Sequence, residues 1–492
     1  MIHFRVPQRV LPLFIALIAL AGSHVTHAES KKPWNIIYIM ADDVGYGDLG
    51  CFGSTTIKTP NIDKIATQGT KFTAFYAEPV CGPSRTSALT GCYSLRTKDL
   101  PRGHKRIAHH PFVDPEEVLT PEVLKPQGYV SAMIGKWDLG GRSRAFANGI
   151  TPIKHGFDYF YGFDGGGLQY LNNEVSKTQV HPAEFDQKFT DEAIGFIERN
   201  KDTPFYIHLC YRTAHIHGPL DATEQFLGSS KWGIYGDSMQ EMDFHIGRLL
   251  ERLKELDLDK NTMVVFTSDN GPWRYFVEDK TRAGTTGGLR GHKTECWEGG
   301  VRVPFIVKAP GLVPAARESD ALIRMADMQH TFAELAGAQV TTKWKLDGKS
   351  LLDLFSGKTE QSPVKYHYYY FEAHLQAVRN ERYKLILPRP KAPKWLAYRH
   401  VAMHGREDLS DVAAIPEPLL FDLKNDRNET VDIAQHHPEV VKELLAQADH
   451  IRQDIGDYNI KGKGTRTTRY WNGDRAKWLD YKRNADGTWP LH

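Results

Sequence analysis

Cysteine is scarce: five occur in 492 residues, at positions 51, 81, 92, 210 and 296. Five is an odd number without framework spacing, which excludes a disulfide-dense mini-protein and leaves at least one cysteine unpaired or modified. No Cys-x-x-Cys occurs, which argues against a zinc ribbon or thioredoxin-type site. Charge of one sign is also lacking: Lys+Arg 62 stand against Asp+Glu 60, a net +2. That balance argues against a dedicated nucleic-acid binder, though not against a local basic pocket. No internal repeat or low-complexity segment is found. Beyond the first thirty residues no apolar stretch reaches the roughly 20 residues a membrane span needs. What is present is a globular composition, 41% hydrophobic and 25% charged. The length predicts two or three domains, or one large α/β domain with an appendage.

The N-terminus stands apart. Arg5 and Arg9 give a positive start, Val10 to Ala21 is apolar but for Pro12, and Thr26 and Ala28 supply small residues at a cleavage point. Residues 1–28 therefore read as a signal peptide. The alternative, an uncleaved anchor, is disfavoured because the run is short. The expectation is an exported protein, periplasmic or secreted, with no stable membrane anchor.

Residues 31–345 alternate strand-like and helical texture. Asn35–Met40, Tyr129–Ile134, Pro204–Cys210, Thr262–Thr267 and Val303–Lys308 are nearly continuous apolar runs, as in strands covered on both faces. Between them Phe189, Ala193, Phe196 and Ile197, then Met242, Ile246, Leu249 and Leu253, and Met325, Met328 and Phe332 recur at helical spacing. This predicts an α/β fold: a large, mostly parallel sheet sandwiched by helices. Residues 346–492 differ. Close-set strand-like runs at Tyr366–Phe371, Leu375–Arg379, Tyr383–Leu387 and Leu419–Leu423, then a helical Pro438–Ile451, predict a smaller antiparallel sheet-plus-helix domain.

In open parallel sheets the site lies at the carboxyl ends of the strands. There Asn35–Met40 runs into Asp42-Asp43, and Thr262–Thr267 into Ser268-Asp269-Asn270-Gly271. Each pair alone is as easily a turn cap as a ligand. Together they form an oxygen-only set suited to Ca²⁺, less so Mg²⁺, rather than zinc. Gly45-Tyr46-Gly47-Asp48-Leu49-Gly50 matches a dinucleotide fingerprint, but Asp42, Asp43 and Asp48 would crowd a pyrophosphate with negative charge.

Cys81 opens a helix-like run in Val80-Cys81-Gly82-Pro83-Ser84-Arg85-Thr86-Ser87-Ala88-Leu89-Thr90-Gly91. As a bare thiol it reads as a thiolate nucleophile or half a disulfide. The pattern Cys-x-Pro-Ser-Arg, three residues, then Leu-Thr-Gly resembles the signature of the formylglycine-dependent (type I) sulfatases, arylsulfatase-like members of the alkaline phosphatase superfamily. The resemblance continues in order through Asp42-Asp43, Gly135-Lys136-Trp137, His217-Gly218-Pro219, Ser268-Asp269-Asn270-Gly271 and Gly291-His292-Lys293, over roughly residues 35–310.

The resemblance implies an alkaline-phosphatase-like fold, with Cys81 oxidised to 3-oxoalanine (formylglycine) by a formylglycine-generating enzyme. It implies one cation held by Asp42, Asp43, Asp269, Asn270 and residue 81. Lys136 and Lys293 would hold the sulfate, Arg85 the hydroxyls at residue 81, and His217 would protonate the leaving alcohol. The hydrated aldehyde would attack sulfur, and its second hydroxyl would expel sulfate.

One position departs from the family, Asp138, where it has His after Gly-Lys-Trp. Asp can accept a proton but not donate one, and Lys136 is placed to pair with it. The substrate expected is a sulfated small molecule or carbohydrate. Basic groups at Lys98, Arg102, Lys105 and Arg106, and Trp273, Arg274 and Arg282, suit a polyanionic sugar or a solvated loop equally. The alternatives are a phosphate or phosphonate ester hydrolase of the same fold, and a non-catalytic binder of sulfated glycan.

Overall fold

A computed structural model describes residues 1–3, 32–97, 113, 116–139, 150–164, 169–177, 179–215, 222–273, 283–371, 374–389, 415–457 and 460–466. The chain divides into two compact units, Met1–Lys32 and Pro33–His492. The signal-peptide reading falls almost wholly outside the described residues. Among the described residues no helix is long and apolar enough to cross a membrane.

The larger unit is built on eleven strands: β1 Asn35–Ala41, β2 Thr70–Tyr76, β3 Val130–Lys136, β4 Tyr159–Phe163, β5 Gln169–Leu171, β6 Glu174–Val175, β7 Phe205–Cys210, β8 Thr262–Ser268, β9 Arg302–Lys308, β10 Arg317–Ser319 and β11 Ile323–Arg324. Their order is β10-β2-β9-β8-β1-β7-β3-β4-β5-β6, with β11 also on β2. The central run β8-β1-β7-β3-β4 is parallel. The sheet is thus the mostly parallel one that the strand–helix alternation predicts.

β9 corrects one detail of that reading. It runs antiparallel to both β8 and β2. The chain leaves β8 at the carboxyl edge, Lys293 and the helical turn Glu298–Val301 lie at that edge, and β9 starts from it. A connection that never crosses a face of the sheet must reverse the strand. β2 has no counterpart among the apolar runs, because Lys71 and two threonines interrupt it.

Successive side chains of β1 point to opposite faces, and both faces are covered. Ile37, Ile39 and Ala41 pack on α1 (Pro60–Thr67), α4 (Phe185–Arg199) and α5 (Gly233–Glu255). Ile36, Tyr38 and Met40 pack on α2 (Cys81–Thr90), α3 (Thr120–Leu124) and the helix Met328–Leu335. Each large side chain so buried contributes roughly 1.5–3 kcal/mol.

The second sheet is antiparallel, in the order β12 His367–Phe371, β13 His374–Arg379, β14 Tyr383–Ile386 and β15 Leu419–Asp422. One face buries Tyr369, Phe371, Ala377 and Ile386 with Tyr76, Trp297 and Val301 of the main body. The other buries Tyr370, Leu375, Val378 and Leu385 beneath Leu444, Ala448 and Ile451 of the C-terminal helix Pro438–Asp454. The small sheet therefore backs directly onto the segment that carries Lys293.

Candidate active site

The ends of β1 and β8 are stitched together by the backbone. Asp269 N–H donates to the Ala41 carbonyl at 3.1 Å, and Val44 N–H to Ser268 Oγ at 2.9 Å. Asp43 sits at φ 64°, an uncommon conformation for a residue with a Cβ, and its N–H reaches Asp269 Oδ1 at 3.2 Å. Asp42, Asp43, Asp269 and Asn270 are all at most 1% exposed.

One ligand atom each from Asp42, Asp43, Cys81 and Asp269 lies within 4.8 Å of the others. Ca–O distances of about 2.3–2.6 Å place two ligands on opposite sides of an ion at about that separation. Asp43 Oδ2 and Asn270 Oδ1 are buried without a hydrogen-bond partner. Two orphaned acceptors in an oxygen-only cage fit a hard divalent cation. The charges agree. Burial, reinforced by Asp42 and Asp269 and opposed by Lys293, pushes Asp43 up to about 7. Burial also raises Asp42, but Lys136, then His215, Arg85 and Lys293, hold it well below the usual carboxylate range.

Cys81 is the first residue of α2. Nearly every side chain of that helix is buried although few are apolar, because hydroxyls close back on the backbone: Thr86 Oγ1 donates to the Gly82 carbonyl at 2.9 Å and Thr90 Oγ1 to that of Thr86 at 2.7 Å. The Cys81 sulfur lies 3.5 Å from Asp42 Oδ1 and accepts from Lys293 Nζ at 3.0 Å. All five cysteines are free. Burial, with Asp269 and Asp42, pushes the Cys81 thiol well above its ordinary value. A reactive thiolate needs the opposite shift.

Lys293 Nζ also donates to Asp43 Oδ1. Lys136, at the end of β3, donates to Asp42 Oδ2 at 2.7 Å. Burial disfavours both ammoniums, but the carboxylates beside them keep both above the usual lysine range. The Arg85 guanidinium donates to Asp269 Oδ2 at 2.7 Å and to the Lys136 carbonyl at 3.0 Å. It positions a cage carboxylate.

Asp138 lies in the same pocket, 4% exposed, at φ 50°. Its Oδ2 is 3.8 Å from Lys136 Nζ, an ion-pair contact; the shorter partner of Lys136 is Asp42. Gly135 sets up this corner at φ 98°, where a Cβ would meet the Cys210 carbonyl at 1.9 Å. Trp273 closes another wall, its ring 5.9 Å from Lys293 Nζ. His217, Arg274, Arg282 and the basic run from Lys98 to His110 lie outside the described residues.

Sequence reasoning missed His215. One of its ring nitrogens groups with Asp42 and Cys81 within 4.8 Å. The signal was its place two residues before His217, after β7 at the active edge of the sheet. Asp48 is no ligand to the cage: its carboxylate accepts from Gly45 N–H at 2.7 Å, Thr285 N–H at 2.7 Å and Tyr235 Oη at 2.6 Å, stapling the glycine loop.

The sulfatase family profile matches residues 34–338, which include the acidic strand ends, Cys81, Lys136 and Lys293. Two further profiles match: N-sulphoglucosamine sulphohydrolase, C-terminal, over residues 292–401, which overlaps the first, and the C-terminal region of aryl-sulfatase over residues 362–472. Steryl-sulfatase of Homo sapiens is 31% identical over 457 residues, covering 76% of this chain and 78% of its own. N-acetylgalactosamine-6-sulfatase of Sus scrofa is 33% identical over 383 residues, covering 72% of each. A solved structure concerned with metabolism of multiple glycosaminoglycans by Bacteroides thetaiotaomicron superposes with a TM-score of 0.72 at 27% identity, covering 86% of this chain and 99% of that one. With the alkaline-phosphatase-like sheet and the strand-end cage already in place, these matches show that the chain belongs to the sulfatase family, a family of sulfuric ester hydrolases.

Proposed function

We propose that this chain is an exported sulfatase that hydrolyses a sulfate monoester on a carbohydrate. It works with formylglycine made from Cys81 by a formylglycine-generating enzyme, and with one divalent cation, calcium before magnesium, held by Asp42, Asp43, Asp269 and Asn270. The observation that carries the reading is the setting of Cys81: its sulfur faces a lysine ammonium and the oxygen cage, yet its ionisation is disfavoured. Such a residue serves poorly as a thiolate and suits conversion to another nucleophile. The carbohydrate substrate is supported by the N-acetylgalactosamine-6-sulfatase relative and the glycosaminoglycan-related structure. Export is supported by residues 1–28.

The chain's own residues do the following. Lys136 and Lys293 hold the sulfate oxygens as cations, since both keep their protons through the physiological range. Arg85 fixes Asp269. As the S–O bond to the alcohol breaks, the alcohol oxygen takes a proton from an imidazole, His217 by its motif position. Asp138 accepts the proton given up at residue 81 when sulfate leaves. Formylglycine supplies a hydrated carbonyl with one hydroxyl to attack and one to release sulfate. A bound divalent cation supplies positive charge to the sulfate oxygens.

The test is peptide mass spectrometry at residue 81 with turnover of defined esters. Formylglycine at 81, with hydrolysis of a sulfated hexosamine but not of its phosphate analogue, is the expected result. Unmodified cysteine in fully matured, active protein overturns the formylglycine reading. Loaded protein inert toward aryl, steryl and sugar sulfates leaves a glycan binder.

A further inference from the structure

Buried arginines in this fold face acceptors. Arg85 has Asp269 at 2.7 Å, Arg96 has Asp347 at 2.6 Å, Arg324 has Asp327 at 2.7 Å and Arg466 has Glu117 at 2.7 Å. Arg379 donates to Tyr76 Oη and to the carbonyls of Asn380 and Glu381. Arg389 is the exception among the described residues. It is 4% exposed and its backbone is held in place by paired bonds to Ile415. Yet Nη1 reaches only Gln376 Oε1, at a long 3.4 Å, and Nε has no partner. Burial, relieved little by Cys296 and Glu295 and aided by Arg290, holds this guanidinium down to about 10. A buried guanidinium with one orphaned donor, one long bond to a neutral amide and no carboxylate beside it among the described residues lacks its counter-ion.

Arg389 lines a shallow, open-mouthed depression with Thr294, Glu295, Cys296, Trp297, Gln376 and Ile386. The pocket lies where the Lys293 segment meets the small sheet. Thr294 follows Lys293 directly, and its N–H donates to the Pro79 carbonyl at 2.8 Å, two residues before Cys81. The wall is thus tied to the catalytic centre from both sides. The Arg290 guanidinium stacks 3.6 Å over the Trp297 ring and adds positive charge. Glu295 Oε2 accepts from His292 N–H at 2.9 Å.

We propose that this pocket is an anion subsite, in which the Arg389 fork takes a carboxylate or a second sulfate carried by the substrate beside the ester that is cleaved. The proposal rests on the sulfatase reading of the adjacent centre. It assigns the small sheet a part in choosing substrates: Gln376 comes from its β13 and Arg389 from the bridge to Ile415 just after β14, while the sulfate-holding Lys293 comes from the body.

The experiment compares three substrates on the metal- and formylglycine-loaded enzyme: a monosulfated hexosamine, the same sugar linked to a hexuronic acid, and the same sugar with a second sulfate. The expected result is a higher kcat/KM for one anion-bearing substrate, carried by KM. In Arg389→Gln the ratio of that kcat/KM to the monosulfated one falls about tenfold or more, the worth of a hydrogen-bonded charge contact. The favoured substrate identifies the group as carboxylate or sulfate. No preference in the parent, or an equal loss on all three in the variant, overturns the subsite. If Arg389→Gln does not fold, the parent's preference is measured against salt. It shrinks as ionic strength rises if the subsite binds a charge, and an unchanged preference overturns it. If the parent turns over none of the three, the reading of a carbohydrate substrate fails by itself. Calorimetric binding of the two anion-bearing sugars to the parent and to Arg389→Lys then decides the subsite: weaker binding by the lysine variant supports it, and equal binding overturns it.

Discussion

Lys293 Nζ lies 3.0 Å from Cys81 Sγ while also donating to Asp43 Oδ1, so one ammonium couples the reacting residue to the cage. Lys293→Gln keeps a donor of similar length but removes the charge. It is expected to lower kcat by about 10²–10³, the effect of losing one positioned electrostatic donor. Steady-state kinetics on a sulfate ester check this, with Tm showing that the fold persists. Unchanged kcat would remove Lys293 from the sulfate-holding set.

The cage predicts a metal requirement with a structural signature. Removing divalent ions with a chelator is expected to abolish turnover and lower Tm, because Asp43 Oδ2 and Asn270 Oδ1 are then buried acceptors without a partner. Calcium restores both, and magnesium does so less well because its short, rigid octahedron suits a cage of this reach poorly. Calorimetry under a calcium titration measures it. Asp269→Asn is expected to weaken metal binding and to loosen Arg85, which loses its carboxylate partner.

Much of this was legible because strand ends announce themselves. Apolar runs such as Asn35–Met40 and Thr262–Thr267 stop at acidic pairs, and the fold brings those pairs to one cation-sized space. The antiparallel course of β9 was hidden, since direction depends on where a loop re-enters the sheet and a loop leaves no periodic trace. Arg85 stands one helical turn after Cys81 in α2, but its carboxylate partner Asp269 comes from the end of β8, far away in sequence. Arg389 was not legible at all: its significance is the lack of an acceptor, and absence of a partner is a property of packing.

The C-terminal helix is clamped to the body by a pH-sensitive contact. Arg96, buried just after α2, donates to Asp454 at 3.0 Å, and Lys345 donates to the same carboxylate at 2.6 Å. Burial raises Asp454, but Arg96 and Lys345 outweigh it and bring it down to about 2. A carboxyl held below its unfolded value of about 4 contributes stability above that pH and loses it as pH falls toward 2. Asp454→Asn is therefore expected to lower Tm at pH 7 and to flatten its fall between about pH 4 and 2. Parallel Tm–pH curves for parent and variant would show that the clamp adds nothing.

Asp138 is where this chain leaves its family, and its surroundings give it a defined task. It is buried, at φ 50°, after the strand that delivers Lys136, with its carboxylate at ion-pair distance from that ammonium. A carboxylate there can take the proton released at residue 81, and its charge lowers the positive charge of the loaded site by one unit. Asp138→Asn keeps the shape and removes proton acceptance, so kcat is expected to fall by about 10²–10⁴. Asp138→His restores a base without the negative charge. The loaded site is then one unit more positive, so phosphate monoesters are expected to bind more tightly relative to sulfate monoesters, read as the ratio of their inhibition constants. If both variants match the parent in kcat and in that ratio, Asp138 is only a wall residue and His215 or His217 accepts the proton instead.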